Sequence, residues 1–486
     1  MAGFLLISRM SVDEDVNKRI PLSMTRRVSF YRKEHAVSAK PKIRELLNES
    51  ACAHSPTKKS ACNAPTPGAT TGGCAFEGAQ ISLFPYADAA HLVHGPVTCI
   101  ATSWETRATR TRWSGRDLTQ MGFTTDVSLN DVVFSGEEKL SNAIDYIMQH
   151  YTPQAIFVYA TCVTALIGDD LDLICKQAGE KHGVPMVPVH APGFVGGKNL
   201  GSRLGGEAVL RHLIGSSEPE ATTPFDINLI GEYNVTGDMW QYSHLLDELG
   251  IRILSTLSGD GRVASIRTAH RARLNVIVCA KSLISLTRKM EQQYGIPSVS
   301  LSFYGKRDTS NGLRAIAEAL GDSTLIARTQ KLIVREEAAL EKKLKPYRAV
   351  FAGKKAVLNT GGNKSWSIAS ALQDLGIEVV ATAVKKATED DRQKARQYLG
   401  EDGVLMMNPG AEQAKLIEER GAHLLLAGGR SLYTAIKKGI AFADVNQEKR
   451  KSYGGYDGLL NLAEDLKNAL ENPVFGLVAR RAPWEK

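Results

Sequence analysis

Four of the seven cysteines stand where thiolates could take iron. Cys74 lies in Gly72-Gly73-Cys74-Ala75-Phe76-Glu77-Gly78, Cys99 closes His94-Gly95-Pro96-Val97-Thr98-Cys99, Cys162 ends Tyr159-Ala160-Thr161-Cys162, and Cys279 follows Asn275-Val276-Ile277-Val278. Thiolates are soft ligands that select iron-sulfur clusters, zinc or cuprous copper. Wide spacing at turns, with no compact local motif, points to iron-sulfur chemistry. An odd number of cysteines over a long chain disfavours a disulfide framework and suits a reducing compartment. Cys175, in Leu171-Asp-Leu-Ile-Cys-Lys, reads as a small buried hydrophobe. Cys52 and Cys62 lie in a polar, Pro-containing stretch and receive no role.

His91 and His94 flank Leu92-Val93 just before Gly95-Pro96. With Cys99 they could contribute to a zinc site, but their spacing suits a structural role in a tight turn.

The elements that must position these groups alternate. Ala155 to Tyr159 reads as a buried strand, Asp169 to His182 as a helix and Pro185 to Val189 as the next strand. The unit recurs from 227 to 254, from 276 to 301, from 355 to 381, and begins again at His423. Such alternation predicts an α/β protein of three Rossmann-like domains, with parallel sheets covered by helices. The rhythm breaks at the polar stretch Ser216 to Pro224 and where a charged helix, Thr329 to Leu344, should end near Lys345-Pro346. These breaks give a flexible extension at 1–40 and domains at 41–222, 223–345 and 346–486. A short helix is expected from Lys42 to Leu47.

In open parallel sheets, ligands bind beyond the carboxyl ends of strands. Cys162, Cys279, Asn446, the turn Gly361-Gly362-Asn363-Lys364-Ser365 and the turn Gly428-Gly429-Arg430 all follow expected strands. Both Gly-Gly turns should open helices, whose N–H groups would favour an anion, with Lys364 and Arg430 adding charge. Plain strand-to-helix turns would look the same. Neither turn matches a dinucleotide or Walker loop.

The composition narrows the rest. A hydrophobic content of 43% supports sizeable cores, and no segment is apolar for the length of a membrane span. The short apolar stretch after Met1 lacks a secretory cleavage pattern, so a cytoplasmic location is expected. The net charge of +8 is dispersed among acidic residues and is not arranged with aromatics, which argues against nucleic acid as a partner.

Gly73-Cys74-Ala75-Phe76-Glu77-Gly78-Ala79-Gln80, His91 to Cys99, Ser103-Trp104-Glu105-Thr106-Arg107 and Ile167-Gly168-Asp169-Asp170 together resemble the nitrogenase component 1 superfamily. Asn228 to Asn234, Gly361 to Trp366 and Asp444-Val-Asn-Gln-Glu448 narrow the resemblance to its iron-molybdenum cofactor biosynthesis branch, collinear from about residue 41 to 486. The resemblance implies that Cys74, Cys99 and Cys162 hold a 4Fe-4S cluster shared with a NifN-like partner subunit, in a heterotetramer of two chains of each kind. It further implies that Cys279 anchors an iron-sulfur precursor of the cofactor, and that Arg107, Lys364, Gly361 and Gly362 line its pocket while molybdenum and homocitrate enter transiently. The nitrogenase iron protein and cofactor donor and acceptor proteins are the other implied partners. Asn446 stands where a catalytic subunit has a histidine ligand, and Ser202 where it has a histidine beside the cofactor. The implied role is therefore an assembly scaffold and not an enzyme. The alternatives are the equivalent scaffold of the vanadium pathway and a catalytic nitrogenase-like reductase subunit.

Overall fold

The apolar run anticipated as a buried strand at 155–159 is buried on both sides. In a computed structural model the described residues are 73–104, 111–257, 259–278, 283–360, 362–383, 389–406, 409–446, 449–478 and 480. Cys52, Cys62, Arg107, Cys279, Gly361, the extension at 1–40 and the expected helix at 42–47 lie outside them.

Among the described residues fifteen strands follow one another as β1 Ala89–His94, β2 Arg112–Trp113, β3 Arg116–Asp117, β4 Gly122–Thr124, β5 Ala155–Ala160, β6 Met186–Val189, β7 Asp226–Ile230, β8 Arg252–Leu257, β9 Leu274–Ile277, β10 Ser298–Ser300, β11 Lys355–Asn359, β12 Glu378–Ala383, β13 Val404–Met406, β14 Leu424–Ala427 and β15 Ala441–Asp444. Apart from the small β2-β3 hairpin they form three parallel sheets, ordered β4-β1-β5-β6, β10-β9-β7-β8 and β13-β12-β11-β14-β15. In each sheet the order reverses once: between β1 and β5, between β7 and β9, and between β11 and β14. Crossover helices leave on opposite faces at such a reversal, opening a crevice at the carboxyl ends of the two central strands. The expected α/β architecture is thus observed.

β5 shows why parallel strands read as continuous apolar runs. Phe157 and Tyr159 enter one core with Val187 and Val189, while Ile156 and Val158 enter another with Leu140 and Ile144. Each large side chain so buried stabilises the fold by about 1.5–3 kcal/mol. A third core joins the second and third sheets through Leu229, Val276, Leu358 and Leu426.

Two expectations need correction. The helix predicted to stop near Pro346 runs from Ser323 to Phe351, with Pro346 inside it. An interior proline costs about 3 kcal/mol or more; here Leu340, Leu344 and Phe351, all 2% exposed or less, hold the helix on both sides of it. His91 and His94 are on β1 and not in a tight turn. Period two therefore turns them to opposite faces, where each is wholly buried.

Candidate functional site

The first reversal gathers three thiols. Cys99 lies in the helix Val97–Trp104 that follows β1, and Cys162 opens the helix Cys162–Ile167 that follows β5, on the two sides of the crevice. Cys74 is the N-cap of the helix Ala75–Leu83, in extended conformation. That helix reaches the crevice by packing tightly on Lys198–His212: a Cβ on Gly201 would stand 1.8 Å from the Ala75 carbonyl oxygen, and one on Gly78 would stand 2.0 Å from that of Lys198. The hydroxyl of Ser202 donates to the Gly78 carbonyl at 2.9 Å and serves this packing.

Gly193 makes the convergence visible. A Cβ there would lie 3.0 Å from Cys162 Sγ and 3.3 Å from Cys74 Sγ, so glycine lets the backbone close against both sulfurs. Burial pushes the Cys99 thiol pKa up, and the nearby charges of Cys162 and Cys74 raise it further. Three thiolates this close repel, and iron would relieve that repulsion. All three remain partly accessible. Among the described residues no three His, Cys, Asp or Glu groups are arranged to hold a single metal ion. The donor set is instead three soft sulfurs spread around a space, as a cluster held by cysteines requires.

The polar support behind the thiols is buried. His94 Nε2 meets Asp169 Oδ2 at 2.9 Å and its Nδ1 meets Thr125 Oγ1 at 3.1 Å. Burial lowers the His94 pKa, and the Asp169 carboxylate only partly opposes this. The His94 carbonyl accepts from the hydroxyl of Thr164 at 2.8 Å and from the Thr161 N–H at 3.3 Å, fixing the turn that carries Cys162. His91 Nδ1 meets the Tyr159 hydroxyl at 2.8 Å, and burial lowers its pKa to about 3. Both histidines are buried on β1, and Cys175 is buried as anticipated.

A second polar centre forms where the crevices of the second and third sheets meet. The helix Gly362–Leu375 follows β11, and from its first turn Lys364 Nζ donates to the Asn446 carbonyl at 3.5 Å. Asn446 follows β15, and its Nδ2 lies 3.3 Å from the place a Gly428 Cβ would take. The structure therefore brings Lys364, Asn446 and the Gly428 turn together. Gly429–Ser431 is a 3-10 turn that leads directly into the α-helix Leu432–Lys438, as expected, and Arg430 on it is exposed.

Sequence reasoning missed three charged residues here. Glu232 follows β7 and is 8% exposed; Asp238 and Lys449 form a buried ion pair with side chains 3% and 1% exposed. Asp238 Oδ1 also accepts the Tyr453 N–H at 2.7 Å, and the Lys449 ammonium lies over the Tyr453 ring at 4.9 Å. Burial pushes Asp238 up, yet the adjacent and directly bonded Lys449, with Lys364 beyond, holds it below the ordinary carboxylate range. Glu232 is raised to about 7 by burial and by the Asp238 charge, against the Asn234 N–H and the charges of Lys449 and Lys364. The one available signal was that Glu232 lies inside the motif Asn228 to Asn234.

Comparison with known proteins accounts for this arrangement. The nitrogenase component 1 type oxidoreductase family matches residues 74–471. The nitrogenase iron-molybdenum cofactor biosynthesis protein NifE of Nostoc sp. is 53% identical over 452 residues, covering 92% of this chain and 94% of its own. Its counterpart in Klebsiella pneumoniae is 47% identical over 453 residues, covering 91% and 99%. The solved structure of nitrogenase Cp1 at pH 5 superposes with a TM-score of 0.78 at 26% identity, covering 89% of this chain and 95% of that one. The chain belongs to the nitrogenase component 1 family, among its NifE iron-molybdenum cofactor biosynthesis proteins.

Proposed function

We propose that this chain is a scaffold on which the iron-molybdenum cofactor of nitrogenase is assembled before transfer to apo-nitrogenase. In this reading Cys74, Cys99 and Cys162 hold a 4Fe-4S cluster whose fourth thiolate comes from a NifN-like partner, in a heterotetramer of two chains of each kind. The observation that carries it is the gathering of three partly accessible thiols, Cys74 and Cys162 against Gly193 and Cys99 within electrostatic reach of both. Three sulfurs leave one coordination position for another chain. Val97 and Leu166, on the helices of Cys99 and Cys162, and Phe194 and Val195, on the turn of Gly193, are 37–75% exposed, as residues that a partner covers would be. When bound, the cluster would supply electron-transfer capacity at the interface.

The cargo is an iron-sulfur precursor. We assign its anchor to Cys279, with Asn446, Lys364, Arg107, Gly361 and Gly362 as pocket residues, and Lys364 as a countercharge for cargo and homocitrate. An amide at 446 is a weaker iron ligand than imidazole, so cargo gripped chiefly by one thiolate can leave. The Ser202 hydroxyl, committed to helix packing, cannot supply protons near neutral pH as imidazole can. Both features favour assembly over catalysis. The relatives' names favour the molybdenum pathway over that of vanadium. Residues 41–222 would carry the bridging cluster, 223–345 the precursor anchor, and 346–486 the closing wall of the pocket. The nitrogenase iron protein and cofactor donor and acceptor proteins would act on this complex in the cytoplasm.

The test is anaerobic purification of the complex from cells lacking the iron protein, with iron counting and paramagnetic spectra. Cys279→Ala should lose the precursor signal and keep the bridging one. Loss of both, or of neither, would refute the separate roles.

A further inference from the structure

Asp169, in the sequence motif Ile167-Gly168-Asp169-Asp170, closes a ring of hydrogen bonds around the helix that Cys162 opens. Its Oδ2 meets His94 Nε2 at 2.9 Å, with the two side chains 2% and 0% exposed. Its own N–H donates to the Thr164 carbonyl at 3.3 Å, and the Thr164 hydroxyl donates to the His94 carbonyl at 2.8 Å, which returns to the starting residue. The Thr161 N–H bonds to that same carbonyl at 3.3 Å. Thr161 also packs against Gly95, where a Cβ would stand 2.2 Å from its Oγ1. Cys162 therefore takes its place from the backbone of His94 and Gly95.

The His94 ring is oriented from both sides. A carboxylate can only accept, so Nε2 carries the proton and Nδ1 accepts from the Thr125 hydroxyl at 3.1 Å. Thr125 Oγ1 accepts the Gly95 N–H in turn, at 3.1 Å. The donors thus run one way, from Gly95 through Thr125 and His94 to Asp169. Asp169 Oδ1 accepts two more, the Ser135 hydroxyl at 2.8 Å and the Gly136 N–H at 3.2 Å. A Cβ on Gly136 would stand 2.9 Å from both Asp169 Oδ2 and His94 Cε1, so this turn closes directly over the pair. Ser135, which ends the helix Leu129–Phe134, has φ 81°, a backbone region that favours glycine. Such strain persists where the surroundings over-determine it, and the carboxylate does so here. An amide at 169 would offer one acceptor oxygen to three donors. It would lose a bond or reverse the His94 tautomer. Asp170, next in the motif, instead caps the following helix by accepting the Leu173 N–H at 3.0 Å.

We propose that Asp169 is a positioning residue for Cys162, acting through His94 to hold the thiolate where the third ligand of the shared cluster must stand, a role that rests on the proposed 4Fe-4S site. Cys74, on a separate helix packed against Lys198–His212, has no such tie to Asp169.

The test follows cysteine alkylation by iodoacetamide, read by mass spectrometry, in the full-length chain copurified with its partner and stripped of iron by chelation. Asp169→Asn should speed alkylation of Cys162 about tenfold, the scale of one hydrogen bond to a charged group. Cys74 and the buried Cys175 should keep their rates. Ser135→Ala removes one donor to the carboxylate, leaves His94 in place and should give a smaller increase; it carries the test if Asp169→Asn does not fold. Asp170→Asn should change none of the three rates. In the loaded complex, Asp169→Asn should alter the paramagnetic signal of the bridging cluster and leave that of the precursor as it is. An unchanged Cys162 rate or an unaltered bridging signal would overturn the proposal. Equal acceleration of Cys74 and Cys175, or of Cys162 by Asp170→Asn, would do the same, because it reports general loosening. An iron count that finds no bridging cluster would remove the 4Fe-4S reading alone, since the alkylation is read without iron and still decides whether Asp169 holds Cys162.

Discussion

Replacing Lys449 by methionine keeps the apolar stem and deletes one charge from the Asp238–Lys449 pair. Both side chains are at most 3% exposed, so no water replaces the ammonium. Removing one partner of a buried pair costs about 3–5 kcal/mol, because the remaining charge is left uncompensated. The Tyr453 N–H bonds to the same carboxylate at 2.7 Å and reports the local opening. Its hydrogen-exchange protection should therefore fall by about 10²–10⁴-fold in Lys449→Met. Asp238→Asn in the same chain removes the stranded charge, and the double variant should regain most of the protection. The pH dependence follows the depressed Asp238 pKa: its contribution is present above the unfolded carboxylate value and is lost as pH falls through the lower folded value. In Lys449→Met burial no longer meets an adjacent ammonium, so this loss at acid pH should shrink or reverse. Asn446 is three residues away, so precursor-associated iron should drop while bridging-cluster iron is kept. A protection change below about tenfold, or a double variant no better than the single one, would refute the reasoning.

Gly193→Val should remove bridging-cluster iron with the circular dichroism spectrum unchanged, because its Cβ enters the space beside Cys162 and Cys74 sulfurs at 3.0 and 3.3 Å; full iron content in the variant would contradict the convergence of the thiols. Glu232, raised to about 7, binds a proton in the folded state that the unfolded state releases near its ordinary value, so its contribution to stability falls as pH rises from about 4.5 through about 7. Glu232→Gln should flatten that slope in denaturant titrations across this range, and an unaltered slope would exclude Glu232 as its source.

The strand and helix alternation was readable because parallel strands bury both faces and so stand out as apolar runs. Cys74, Cys99 and Cys162 were readable by type, and Cys162 also by its position after a strand. Their convergence was not, since it depends on β1 and β5 being neighbours although β4 lies between them in the chain. Pro346 misled for a physical reason: local propensity speaks against a helix interior, and the burial of Leu344 and Phe351 overrides it. His91 and His94 misled through period, because i and i+3 share a face on a helix and oppose each other on a strand. The Asp238–Lys449 pair was out of reach, its members being joined only by the fold.

The charge arrangement around Lys364 bears on why such a pocket would pass cargo on. Lys364 already lowers the proton affinity of two buried acids, Glu232 and Asp238, so its charge is shared before any ligand arrives. An anionic cluster entering the pocket competes with those carboxylates for the same ammonium. Glu232 can meet that competition by taking up a proton near neutral pH, while Asp238, paired with Lys449, stays ionised. In the proposed assembly role, binding would draw on a countercharge that the protein reclaims on release, which would keep the difference between loaded and empty states small. A resident cofactor would be better served by an uncommitted cation and an imidazole ligand. In the assembly reading, the shared lysine and the amide at 446 weaken the grip by two independent routes.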